Sequence, residues 1–153
     1  GVRIYFMGDL DDPRVPDLNR TRMRDAQELT EGNQRLHLVF AFNYGSRLEL
    51  AEAARRLAVD VRSGEVDPGA IDPETLASYF HIPEMPDADL IIRTSGEQRL
   101  SNFLLWQIAY SEIYVTDVLW PDFRRRHLYE ALADYQQRER RFGGVGESTG
   151  KGR

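Results

Sequence analysis

Short apolar runs alternate with helical periodicity along this chain, and that alternation constrains the fold more than any other feature. Val2-Arg-Ile-Tyr-Phe-Met7 is β-branched and aromatic and is closed by Gly8-Asp9, which predicts a strand. Leu36 to Phe42 is apolar except for His37. A run of that kind suits a strand covered on both faces, as in parallel sheets. Ala88 to Arg93 predicts a third strand and Tyr114 to Leu119 a fourth. Between them, Leu18 to Thr30 and Leu48 to Val61 carry apolar residues at helical spacing. Ser46 with Glu49 three residues on reads as a capping box, and the helix it opens runs to Gly64. Asp72-Pro73 predicts a short helix ending near Phe80. Ser101 to Ser111 reads as a buried helix, and Asp122 as the cap of a last helix from Phe123 to about Arg141. Gly143 onward is a polar tail. Strands alternating with helices predict an α/β fold, an open and mostly parallel sheet with flanking helices.

Composition narrows the classes. The 153 residues carry a net charge of -5, which disfavours generic nucleic-acid binding, because phosphate contact needs a basic face. No apolar run reaches the ~20 residues of a membrane span. With no cysteine there is neither a disulfide framework nor a Cys-based zinc site. These features favour the cytoplasm. His37, His81 and His127 are too scattered to suggest a metal site. Of the 20 basic residues all but Lys151 are arginine, the side chain that grips phosphate bidentately.

In parallel α/β sheets ligands sit beyond the carboxyl ends of the strands, which singles out Asn43, Arg93 and the loop from Thr94 to Ser101. Arg93 ends a predicted strand, Arg99 follows six residues later, and Ser101 opens a predicted helix. Two guanidiniums, a hydroxyl and helix N-terminal amides would cradle a diphosphate. The alternative is that Arg93 and Arg99 pair with Glu97 or Asp89 and that Ser101 only caps its helix.

The segment from Asp89 to Tyr114, including Arg93-Thr-Ser-Gly-Glu-Gln-Arg-Leu-Ser101 and followed by Asp117-Val-Leu-Trp-Pro-Asp-Phe123, is similar to the closing signature of the cis-prenyltransferases, the undecaprenyl diphosphate synthase family. Asn43-Tyr-Gly-Ser-Arg47 resembles an earlier family block, usually Asn-Tyr-Gly-Gly-Arg, and Arg140-Arg-Phe-Gly-Gly144 resembles the family's ending. The resemblance implies a Mg²⁺-dependent homodimeric transferase. It would condense isopentenyl diphosphate with an allylic diphosphate to give a Z-polyprenyl diphosphate, and would touch membranes peripherally through its product. It implies that Arg93, Arg99, Leu100 and Ser101 bind isopentenyl diphosphate, that Glu112 binds magnesium, and that Arg141 and Gly143 reach the partner's site. The family's Met-Asp-Gly-Asn-Gly-Arg motif and its Phe-Ser-x-Glu-Asn block do not occur in the chain. Residues 1–144 are accordingly expected to be the C-terminal part of one such domain and 145–153 a tail, with the catalytic aspartate upstream of Gly1 and the chain alone inactive. A non-catalytic accessory subunit of a heteromeric enzyme is the rival reading. Were 101–111 a straight helix, Ser101 and Glu112 would stand roughly 16 Å apart, which places Glu112 in the site of a partner subunit.

Overall fold

β1 (Val2–Met7) and β2 (Leu36–Ala41) run parallel in strict register, Val2 beside Leu36 through Met7 beside Ala41. This is a computed structural model, and it describes residues 1–138. α1 (Asp17–Thr30) connects the two strands. Its Thr30 hydroxyl and Gln27 side-chain carbonyl accept from the backbone amides of Ile4 and Phe6 at 3.0 and 2.9 Å. These two amides of β1 are thereby satisfied by side chains of α1.

β2 departs from its expected burial. Leu36, Leu38, Phe40 and Phe42 are 57%, 40%, 45% and 38% exposed, so the run is not covered on both faces. α1 is bonded to β1, and Phe40 finds Phe6, stacked with ring centroids 5.3 Å apart. His37 is also exposed and lies against Tyr5.

α2 (Ser46–Ser63) buries Ser46, Glu49, Ala53 and Leu57, a stripe at spacings of three and four. α3 (Pro73–Ala77) is shorter than predicted and ends before Phe80. Its start behaves as the sequence suggests: Asp72 Oδ1 accepts from the Thr75 amide at 2.7 Å and from the Thr75 hydroxyl at 2.6 Å. Those bonds hold the Asp72 carboxyl below its ordinary pKa. Asp72→Ala is expected to lower the thermal midpoint by about 2–4 °C at pH 7. A depressed folded-state pKa gives stability that is present above the unfolded value and lost as pH falls through the folded one. The deficit of the variant should therefore shrink in acid, which melting curves taken as the pH is stepped down from 7 will show.

β3 (Leu90–Arg93) and β4 (Glu112–Val115) form a second parallel pair, Leu90 beside Glu112 through Arg93 beside Val115. β4 begins two residues earlier than predicted and ends sooner, which makes Glu112 its first residue. α4 is Arg125–Gln136, starting later than the Asp122 cap implied. Trp120–Asp122 is instead a 3-10 turn with Trp120 73% exposed. His127 is buried, and its Nδ1 accepts from the Arg124 amide at 3.0 Å, closing the first turn of α4.

The predicted helix over 101–111 is absent. The stretch is a succession of turns, with Ser101, Asn102 and Leu104 at φ of 54°, 59° and 48°. Left-handed residues interrupt an α-helix, so apolar content here marks partly buried turns, not a helix.

The described chain forms two compact units. One is Gly1–Met85 with Ser101–Leu105, holding β1, β2 and α1 to α3; the other is Pro86–Leu100 with the chain from Trp106, holding β3, β4 and α4. No described helix is long and apolar enough to cross a membrane.

Candidate active site

In the first unit, β1 and β2 end together. The Phe42 amide donates to Met7 O at 2.9 Å and the Asp9 amide to Asn43 O at 3.2 Å. A cleft of about 300 Å³ opens beside these ends, lined by Arg14, Val15, Phe42 and Asn43. Asn43, in the left-handed region at φ 49°, donates through Nδ2 to Asp9 O and Asp12 Oδ2. Hydrogen bonds from the Arg14 side chain and backbone hold the Asp12 carboxyl far below its usual range. Nothing in the sequence reading pointed to Asp12 and Arg14, because a Pro- and Asp-rich loop carries no signal for what it will face.

The turn after Asn43 is anchored on a buried carboxylate. Glu49, 2% exposed, accepts from the Tyr44 hydroxyl at 2.6 Å and from the His81 amide at 3.1 Å. Burial, with Glu49 adding to it, pushes the Tyr44 phenol well above its ordinary pKa. Phe103 and His81 both pack edge-on against the Tyr44 ring.

The Ser46 capping box is not formed. Gly45 is the cap position, and the Ser46 hydroxyl accepts from the Leu105 amide at 3.0 Å. Asn102 closes the start of α2: its backbone carbonyl accepts from the Ser46 amide and its Oδ1 from the Arg47 amide, both at 2.9 Å. These helix-start amides are thus satisfied within the protein. Ser101, beside Asn102, lies on exposed left-handed backbone in this unit and heads no helix, so it offers no helix N-terminus to an anion.

In the second unit, Arg93 ends β3, partly buried, at the carboxyl side where parallel strands bind ligands. The loop beyond it is pinned by backbone bonds: Ser95 amide to Val118 O at 3.0 Å, Gly96 amide to Thr116 O at 2.9 Å, and Thr116 amide to Arg93 O at 2.9 Å. Ser95 and Gly96 are both left-handed at φ 65°, and a β-carbon on Gly96 would come 2.9 Å from Asp117 Oδ1. Arg99 bridges Glu97 at 2.7 Å with its side chain 73% exposed, and Leu100 is 41% exposed. The pairing of Arg99 with Glu97 is the alternative the sequence left open.

Glu112 heads β4 with its side chain about one-third exposed, and its Oε2 accepts from Arg138 Nη1 at 2.8 Å. Because 101–111 is not a helix, the spacing argument that assigned Glu112 to a partner subunit loses its premise. Among the described residues no three His, Cys, Asp or Glu side chains stand together as a metal site. Magnesium commonly takes only one or two carboxylates and completes its shell with water and substrate phosphates. Glu112 offers one partly exposed carboxylate for such a shell, with Arg138 on its Oε2. Arg141 and Gly143 lie outside the described residues.

Residues 1–143 match the undecaprenyl diphosphate synthase (Prenyltransf) family. The chain belongs to that family. Isoprenyl transferase 1 of Streptomyces coelicolor is 51% identical over 145 residues, covering 95% of this chain and 52% of that protein. Isoprenyl transferase 2 of Bradyrhizobium diazoefficiens is 56% identical over 149 residues, 97% of this chain and 58% of its own. Among solved structures, lavandulyl diphosphate synthase from Lavandula x intermedia in complex with dimethylallyl diphosphate superposes with a TM-score of 0.88 at 38% identity. It covers 93% of this chain and 60% of its own. The α/β architecture with parallel strands is therefore that of the family. The chain spans little more than half the length of these isoprenyl transferases.

Proposed function

We propose that this chain supplies the isopentenyl diphosphate side of an isoprenyl transferase active site. The protein it belongs to would condense isopentenyl diphosphate with an allylic prenyl diphosphate, releasing diphosphate and giving a Z-polyprenyl diphosphate. The observation that carries the reading is the pinned loop after β3, with Arg93 at its start and Arg99 on its exposed side, in a chain of this family.

In this reading Arg93, Arg99 and Leu100 hold isopentenyl diphosphate, the guanidiniums taking its phosphate oxygens. Arg99 exchanges Glu97 for phosphate at small loss, since an exposed ion pair is weak. Glu112 would hold magnesium, which supplies positive charge to a diphosphate and eases its departure. The arginines do the same through fixed, preorganised charge. Arg141 and Gly143 would complete the site of a partner subunit in a homodimer. The reaction would take place in the cytoplasm, with the product drawing the protein to membranes.

Calorimetry of the purified chain with isopentenyl diphosphate and Mg²⁺ tests the reading. Saturable binding that loses strength with rising salt is expected, with no turnover of labelled substrate by the chain alone. An absence of binding would overturn the assignment of the loop, and turnover by the chain alone would overturn the assignment of the chemistry to a larger protein.

A further inference from the structure

Glu112 already has a cation. Arg138, two residues past the end of α4, donates through Nη1 to Glu112 Oε2 at 2.8 Å and to the Ile113 carbonyl at 3.1 Å. The other side of the same guanidinium belongs to Asp134: Nε donates to Asp134 Oδ2 at 2.8 Å, and Nη2 stands 2.5 Å from that oxygen. One planar fork thus bridges two carboxylates, one at the head of β4 and one on the last turn of α4, with all three side chains roughly one-third to two-fifths exposed.

A metal and a guanidinium cannot share one carboxylate oxygen at contact distance, since their charges repel and both need the same lone pairs. Arg138 holds Oε2, so a divalent ion that takes both Glu112 oxygens has to displace it, and one on Oε1 alone meets the charge of the guanidinium. Asp134 makes that displacement cheap. Arg138 lets go of one carboxylate while retaining the other, so no guanidinium is left uncompensated. Glu112 in turn exchanges one positive partner for another.

We propose that Arg138 is a positioning residue that competes with a divalent cation for Glu112, holding the carboxylate in place while no metal is bound and withdrawing onto Asp134 when metal arrives. The inference rests on the assignment of Glu112 to magnesium made above. It adds a residue that sets how much metal the site requires.

The test is Mn²⁺ binding followed by electron paramagnetic resonance, with inorganic diphosphate present. It compares the chain as it stands with Arg138→Gln, Arg138→Lys, Glu112→Gln and the double variant Glu112→Gln/Arg138→Gln. Arg138→Gln should bind Mn²⁺ about two- to fivefold more tightly, the upper range of a partly exposed ion pair. Glu112→Gln should bind more weakly than the unaltered chain, and adding Arg138→Gln to it should change nothing, because the effect of Arg138 passes through Glu112. Arg138→Lys keeps the charge but not the fork and should fall between. It carries the test if circular dichroism shows that the glutamine variant does not fold. Mn²⁺ affinity unchanged or lowered in both Arg138 variants would overturn the competition while leaving the metal at Glu112. Equal affinity in the unaltered chain and Glu112→Gln, or no Mn²⁺ binding in any variant, would overturn the metal assignment and the competition together. Retained isopentenyl diphosphate binding in that case would leave the arginine assignment standing.

Discussion

Gly8→Ala is expected to remove a large part of the chain's stability. Gly8 follows β1 at φ 123°, a region closed to residues with a β-carbon. A methyl there would come 2.1 Å from the Phe42 carbonyl oxygen and 3.1 Å from its carbon. Both are backbone atoms, and the Phe42 amide is itself tied to Met7 O. The collision cannot be relieved by turning a side chain; the ends of two registered strands have to separate. Backbone strain of about 1–2 kcal/mol and overpacking of about 1–3 kcal/mol add to roughly 2–5 kcal/mol. Against the about 5–15 kcal/mol by which single domains are ordinarily stable, that is a substantial share. Urea unfolding will show it as a lower midpoint at an unchanged slope. Gly32→Ala is the control: a β-carbon there meets nothing within 4 Å, and its midpoint should stay near the original. Equal midpoints for both variants would mean that the strand ends do not approach as described.

Arg93→Ala and Arg99→Ala are each expected to weaken isopentenyl diphosphate binding by about 10- to 150-fold, the value of one charge-assisted contact of roughly 1.5–3 kcal/mol. Their salt dependence should differ. Arg93 is partly buried at the end of β3, whereas the Arg99 side chain is 73% exposed and already screened. The loss in Arg99→Ala should therefore shrink more as ionic strength rises. Calorimetric titration at two salt concentrations measures both effects. Unchanged affinity in both variants would remove the two arginines from the phosphate site.

The strands and long helices were legible because their signals are local. A β-branched run closed by Gly8-Asp9 and a stripe from Leu48 to Val61 need no tertiary knowledge to read. The loop after β3 was legible for another reason: its motif is long enough to identify the family. What stayed hidden depends on residues distant in sequence or on backbone states that composition does not report. Ser101, Asn102 and Leu104 adopt left-handed conformations with no glycine to announce them. The apolar residues of 101–111 therefore counted toward a helix that these three interrupt. Ser46 resembles a cap, yet the helix start is closed by Asn102 and Ser46 turns to Leu105. His127, one of three scattered histidines in the sequence, is a buried acceptor for the Arg124 amide. Arg138 could not be linked to Glu112, since 26 residues separate them.

The closing of α2 by Asn102 bears on the order in which this protein folds. The bond from the Arg47 amide to Asn102 spans 55 residues. Closing a loop of that length costs roughly 3.5 kcal/mol of chain entropy. On a ribosome the cap on the first turn of α2 waits until some fifty further residues have emerged, because its acceptor has not yet been made. The middle of the helix, packed through Ala53 and Leu57, is under no such constraint. The cap on the N-terminus of α2 is therefore a late contact, and the Asn43-Tyr44-Gly45 bend before it is held by that cap only once Asn102 has arrived.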